Sequence, residues 1–186
     1  YGMNDVTHLG LQDIPMLNSI PGLVYLAPVT KEDYIAMLDW SLTQNAYPVA
    51  IKIPGGSMIS TGVPVTKDFS KLDTYEITKK GSRVAILGLG TFYENATVIN
   101  PYYISGIDAD TLNELKKDHA VVATLEDGYL EGGFGAKIAA FYGSSDMKVL
   151  NFGIKKEFID RYDVSEVLKD NHLTPEQIAE DIAATL

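Results

Sequence analysis

Two short apolar runs with a helix-like stretch between them constrain this chain more than anything else in it. Leu23–Ala27 is apolar, brief and fenced by Pro21-Gly22 and Pro28, which marks a buried strand. Pro48–Ile53 is a second such run, ended by Pro54-Gly55-Gly56. Between them Thr30 is a good helix N-cap, with Glu32 and Asp33 in the first turn, where carboxylates favour the helix dipole. The helix is expected to reach about Thr43, with Ile35, Leu38 and Leu42 on one face. Strand, helix and strand make a βαβ unit, expected to be parallel with a right-handed crossover. Two strands alone cannot form a domain, since the pair leaves unpaired edges and buries too little surface. Either the strands that should flank Leu23–Ala27 come from elsewhere, or that half of the chain is poorly formed.

From Gly55 to about Ser82 the chain is polar, rich in Gly, Thr, Ser and Lys, with a β-like piece at Thr74–Thr78. This stretch reads as a connection that adds an edge strand. A second α/β block follows, with strands at Arg83–Gly88, Ala96–Asn100, Val121–Leu125 and Val149–Phe152. Its helices are expected at Asp108–Lys117, Gly132–Tyr142, near Val164–Lys169, and at Thr174–Leu186. The last carries Thr174 as N-cap, Pro175 at the first helical position and Gln177 three residues on. The expected organisation is therefore 1–62, a linker at 63–82, and 83–186. Only Leu89–Asn95 joins the first two strands of the second block. A parallel crossover takes about ten or more residues. Either those strands form a hairpin, or residues are absent between about Phe92 and Ala96.

Composition narrows the function classes. At 186 residues and 46% hydrophobic, the chain can build a real core. A net charge of −10 argues against nucleic acid, which needs clustered Lys and Arg. Without cysteine there are no disulfides or thiolate metal sites, which fits a cytoplasmic protein. No apolar run approaches the roughly 20 residues that span a bilayer, so no membrane partner is expected.

Several motifs recur in a telling order. Thr7-His8 precedes Gly10 and Asp13, then Ile20-Pro21-Gly22-Leu23 leads to Ala27-Pro28. Tyr34–Leu38 and Pro48-Val49-Ala50-Ile51-Lys52 come next, followed far downstream by Thr124-Leu125-Glu126-Asp127 and Gly132-Gly133-Phe134-Gly135. Leu150-Asn151-Phe152-Gly153-Ile154, then Lys155, Glu157, Phe158 and Ile159, and Leu173–Ile178 complete the series. This series resembles the C-terminal part of the 1-deoxy-D-xylulose-5-phosphate synthase family within the transketolase superfamily. The resemblance implies an α/β fold: a partial parallel-sheet pyrimidine-binding domain followed by a transketolase C-terminal-like domain. It implies a transferase using thiamine diphosphate and Mg2+. Such an enzyme decarboxylates pyruvate and ligates the fragment to an aldehyde such as glyceraldehyde 3-phosphate, feeding isoprenoid and thiamine precursors. It also implies a homodimer acting on small-molecule substrates.

By the same resemblance His8 is the catalytic residue, facing the thiazolium and the reacting oxygens, as an imidazole able to donate or accept near neutral pH can. Asn4, Thr7 and Gly55 would be substrate-binding positions. Two of these depart from the family pattern. Asn4 stands where the family has Asp, and Gly55 stands where it has the arginine expected to hold a substrate phosphate. Glycine cannot replace a bidentate arginine, so a different acceptor or a paralogous activity stays open. Lys52 is nearby but strand-bound, and need not point at a ligand. The glutamate that activates the aminopyrimidine and the metal-diphosphate motif have no counterpart here. Cofactor-binding residues are expected upstream of Tyr1, in a missing N-terminal part of the same enzyme, and the chain alone should be inactive.

Other signals read more plainly. His119 and His172 are expected at the surface, and with His8 they are too scattered to form a metal site. Glu126-Asp127 suggests paired carboxylates but is better read as solvated or structural charge. Gly88-Leu89-Gly90 lacks the third glycine of a dinucleotide fingerprint. Gly132–Gly135 opens a helix, where an anion or close packing would equally explain the glycines. Phe92, Tyr93, Tyr102 and Tyr103 suit a core or interface, and Trp40 suits packing. A β-like subunit of a 2-oxo acid dehydrogenase and a non-catalytic dimerisation module remain as rivals.

Overall fold

The computed structural model describes residues 9–54, 56–88, 96–160 and 162–186. After a short helix α1 (Asp13–Asn18), strands β1 (Val24–Leu26) and β2 (Val49–Ile51) pair in parallel, joined by helix α2 (Lys31–Thr43). This is the expected βαβ unit. Helix α2 begins in a full capping box: Asp33 N–H donates to Thr30 Oγ1 at 3.1 Å, and Thr30 N–H donates to Asp33 Oδ2 at 3.0 Å. Both orphan donors are satisfied without water.

The flanking of β1 comes partly from within the chain. Ala27 N–H donates to Tyr102 O and Ile104 N–H donates to Tyr25 O, each at 2.7 Å. The outer edge of β1 is thus covered by a loop of the second block. Among the described residues no strand lies on the outer edge of β2. The face of α2 expected to be apolar and packed is instead the open one. Ile35, Leu38 and Leu42 are 45%, 37% and 76% exposed, while Met37 and Asp33 are buried. The reason is geometric: a two-stranded sheet offers one narrow surface, and the Met37 side of α2 takes it, with Trp40 beside it.

The connection after β2 is not a free linker. Phe69 is buried and packs with Leu26, Met37 and Tyr103, while the Tyr103 hydroxyl donates to Phe69 O at 3.0 Å. The connection ends in the expected edge strand, β3 (Glu76–Lys79), one to two residues later than the sequence suggested.

The second block is a five-stranded sheet in the order β3-β5-β4-β6-β7. Its strands are β4 (Arg83–Leu87), β5 (Thr97–Asn100), β6 (His119–Tyr129) and β7 (Lys148–Ile154), all parallel, with β3 antiparallel on β5. The parallel pairing of β4 with β5 overturns the hairpin alternative. The suspected break between Phe92 and Ala96 lies outside the described residues. Helices α3 (Ala109–Leu115) and α4 (Phe134–Tyr142) cover one face through Leu112, Leu115, Ile138 and Tyr142. Two successive crossovers that advance in the same direction along the sheet put them there, as a common crossover hand requires. Short helix α5 (Val164–Asp170) leads to α6 (Pro175–Thr185), whose Ile178 and Ile182 pack on Val84, Ile86, Val121 and Ala123 of the opposite face. Thr174 caps α6 as expected, but Gln177 does not close the box: its Nε2 donates to Lys169 O.

His119 is a further correction. Its side chain is only 5% exposed. Nδ1 lies 2.6 Å from Asp118 Oδ1 and Nε2 lies 2.8 Å from Thr97 Oγ1, which also accepts from Gly81 N–H. A buried imidazole needs both nitrogens satisfied, and the starts of β5 and β6 supply the partners. His172 is exposed, as expected.

Candidate functional site

Parallel strands leave ligand crevices at their carboxyl ends. Here the two sheets turn those ends toward one shared cavity of about 530 Å3. Ala27–Val29 arrive from β1, Lys52 and Pro54 from β2, Gly88 from β4, and Glu126 and Asp127 from β6. The far wall is apolar, built by Ile154 at the end of β7 with Val164, Leu168 and Leu173. Apolar walls with few polar groups are the usual make-up of a small-molecule site.

The polar end is organised around helix α4. Both oxygens of Glu126 accept from its N-terminus, from Phe134 N–H at 2.7 Å and from Gly135 N–H at 2.9 Å. An anion was a possible occupant of this helix start, and the chain supplies its own. The close-packing explanation holds too, because a side chain at position 135 would run into Thr124 and Asn151. Burial pushes the Glu126 carboxyl above the usual carboxylate range, and the two amides pull it back only in part. Lys52 is the one cation lining the cavity among the described residues. Its side chain is 13% exposed, 3.6 Å from Asp127 Oδ1 and 3.5 Å from Gly10 O. Asp127 itself is 80% exposed. The walls around it push its pKa up and Lys52 opposes the shift.

The predicted site residues Asn4, Thr7, His8 and Gly55 all lie outside the described residues. Their chain neighbours do reach the cleft: Leu11 and Pro54 line it, and Gly10 meets Lys52. Sequence reasoning leaves Lys52 pointing nowhere in particular, yet it faces the cavity. The alternation of β2 past Ile51 is the available signal. The structural reading of Glu126 holds; its partner, the glycine-rich helix start, is legible in the sequence but nothing local joins the two.

The described residues do not suit the metal–diphosphate end of thiamine diphosphate. No group of three or more His, Cys, Asp or Glu among them could hold a metal ion. The one lining cation among them is already engaged by a carboxylate and a carbonyl.

The family described as "Transketolase, C-terminal domain" matches residues 73–178, which takes in β3 through the first turn of α6. The chain belongs to that family. The 1-deoxy-D-xylulose-5-phosphate synthase of Clostridium acetobutylicum is 34% identical over 97% of this chain and 32% of its own length. Those of Pseudoalteromonas translucida and Shouchella clausii are 31% and 29% identical, over 85% and 100% of this chain. The chain spans only about a third of such relatives, 32% in the first case. The Shouchella alignment runs over 203 positions for 186 residues, so 17 positions have no residue here. Among solved structures, a chain described as "Split gene transketolase, inactive beta4 tetramer" superposes with a TM-score of 0.75 at 18% identity. The match covers 97% of this chain and 63% of that one, and it supports the fold. Among the described residues no helix is long and apolar enough to cross a membrane.

Proposed function

We propose that this chain is the C-terminal portion of a thiamine-diphosphate-dependent transferase that joins a two-carbon unit from pyruvate to an aldehyde. The observation that carries the reading is the shared cavity: the parallel strands of two sheets, in a chain matched over 97% of its length by a synthase relative, present their carboxyl ends to one crevice. In this reading residues 1–62 are the distal half of a pyrimidine-binding domain, 63–82 the connection, and 83–186 the C-terminal domain. His8 handles protons at the reacting oxygens, with Thr7 shaping its loop. Asn4 and Gly55 lie on the substrate side, and the loss of arginine at Gly55 favours an acceptor less dependent on a phosphate. The cofactor's diphosphate and Mg2+ are held by polypeptide outside this chain, since the described residues offer no place for them.

The structural neighbour favours one refinement. That protein is described as a split-gene transketolase in an inactive tetramer. The present chain is read the same way, inactive alone, dimeric when complete, and active only with its thiamine-diphosphate half. The test is reconstitution. The chain, combined with the polypeptide encoded upstream of it, should bind thiamine diphosphate with Mg2+ by calorimetry and ligate pyruvate to glyceraldehyde 3-phosphate or to a non-phosphorylated aldehyde. His8→Ala should abolish ligation while leaving cofactor binding intact. Ligation that survives His8→Ala rejects the assignment. Heat-silent titrations would instead leave a dimerisation module as the better description.

A further inference from the structure

The acidic pair in β6 sits on a stretch that also grips the segment following His8. The ladder between β6 and β7 breaks between Leu125 and Tyr129, and the bulge re-aims the residues within it. Tyr129 N–H turns away from β7 and donates to Leu11 O at 3.0 Å. Asp127 steers the Lys52 ammonium, which reaches Gly10 O, the same oxygen that accepts from Asp13 N–H at 3.3 Å. Two consecutive carbonyls are therefore held: that of Gly10 by Lys52, which Asp127 of the second block steers, and that of Leu11 by the Tyr129 amide of the second block itself. The packing agrees. Ile14 and Pro15 of α1 lie against the backbone of Gly128 and Gly132, so close that a Cβ at either glycine would stand 3.3 Å from them. Gly132 also has φ +74, so a side chain there would be strained as well as crowded.

We propose that the Asp127–Gly132 segment, acting through Lys52 and the Tyr129 amide, is a positioning element for the histidine loop. It rests on the reading of His8 given above. The held carbonyls are two and three residues after His8 in the sequence, so the clamp bears on the stretch of chain that leads out of that residue. Ligation tolerates little misplacement, because an error of about 1 Å at a reacting group costs on the order of a hundredfold in rate. A block that supplies no catalytic group would in this way set the rate.

The experiment uses Lys52→Met, Lys52→Arg and Asp127→Asn. In the enzyme assembled with its thiamine-diphosphate half, Lys52→Met should lower kcat by about tenfold to a hundredfold with little change in the KM for pyruvate. Lys52→Arg, which can still span carboxylate and carbonyl, should recover most of the loss. Asp127→Asn removes an exposed carboxylate and cannot unfold the core, so it separates positioning from stability; it should lower kcat in the same direction. On the 186-residue chain itself, the imidazole NMR resonances of His8 should shift in Lys52→Met and return in Lys52→Arg, while those of His172 stay put. Unchanged kcat and unchanged His8 resonances in both Lys52→Met and Asp127→Asn overturn the proposal. Ligation that persists in His8→Ala overturns the functional reading instead, and the ring resonances then decide the clamp alone.

Discussion

The two sheets of this chain share a crevice but differ in completeness. The five-stranded sheet is covered on both faces, by α3 and α4 on one side and α6 on the other. Its β3 edge ends in exposed, mostly polar residues, Glu76 to Lys79, a usual way of keeping an edge from pairing further. The β1–β2 pair has one edge covered by Tyr102–Ile104, one edge bare of any described strand, and a helix with apolar residues on its outer side. The first region meets the requirements of a stable α/β unit by itself. The second borrows half its support from the first, and among the described residues nothing supplies the other half. Local stability should differ accordingly, and sub-global opening should begin at α2, β1 and β2.

The largest effect that tests this difference comes from paired core truncations. Ile138 and Met37 are both fully buried, one beneath the closed sheet and one beneath the open pair. Each change to Ala should cost about 2–5 kcal/mol where the surroundings hold their shape. Ile138→Ala should appear as a lower urea midpoint for the whole chain. Met37→Ala should appear chiefly as faster amide exchange in α2, β1 and β2, with a smaller change in the global midpoint. Equal global losses would mean that the two regions unfold as one cooperative body.

Glu126 should come next. Glu126→Ala strips two amides at the start of α4 of their acceptor and should cost about 2–3 kcal/mol. The pH dependence has a definite sign. Burial raises the folded-state pKa of Glu126 above its ordinary 4.5. The folded form therefore holds the proton more tightly, and the associated stability is full below that value and lost as pH rises through the raised one. Between the wild type and Glu126→Gln, the difference in unfolding free energy should shift against the wild type as pH climbs from about 4.5 toward neutrality. A difference that is flat or opposite in slope in urea titrations at several pH values would mean that the helix amides outweigh burial. The exposed carboxylates Glu32, Asp68 and Asp163, whose pKa values are lowered by local hydrogen bonds, slope the other way in both proteins and cancel in the comparison.

How far the sequence foretold these regions follows the same divide. Val84–Leu87, Val121–Leu125 and the capped start of α6 are legible because short apolar runs and Thr-Pro spacing answer to local rules, and the second block is stabilised largely within itself. The open region is harder to read because its packing depends on partners. The 3.6-residue period finds Ile35, Leu38 and Leu42 but cannot say that a two-stranded sheet takes the Met37 side instead. His119 looks like a surface residue in the sequence, since its burial depends on Thr97, 22 residues earlier in the chain. The clasp of Lys52, Asp127 and Gly10 joins three distant segments, and no local pattern announces such a contact. The extension of β6 to Tyr129 runs through Glu126, Asp127 and Gly128, residue types that ordinarily end a strand.

The smaller effects bear on the open region itself. Thr30→Ala dismantles the capping box and should cost about 1 kcal/mol, read as faster exchange in the first turn of α2. Leu42→Ser should cost less than about 0.5 kcal/mol, as exposed positions do. Leu42 is 76% exposed, and its side chain has little to lose in this chain. The informative measurement is its dependence on concentration. If the outer face of α2 stays bare, the melting temperature of the wild type is independent of protein concentration and Leu42→Ser leaves it unchanged. If copies of the chain cover that face, the wild type melts higher at higher concentration, because association stabilises the folded form by mass action. Leu42→Ser would then remove the dependence. That outcome would break the contrast between the two regions, since the second would have completed itself with another copy of the same chain.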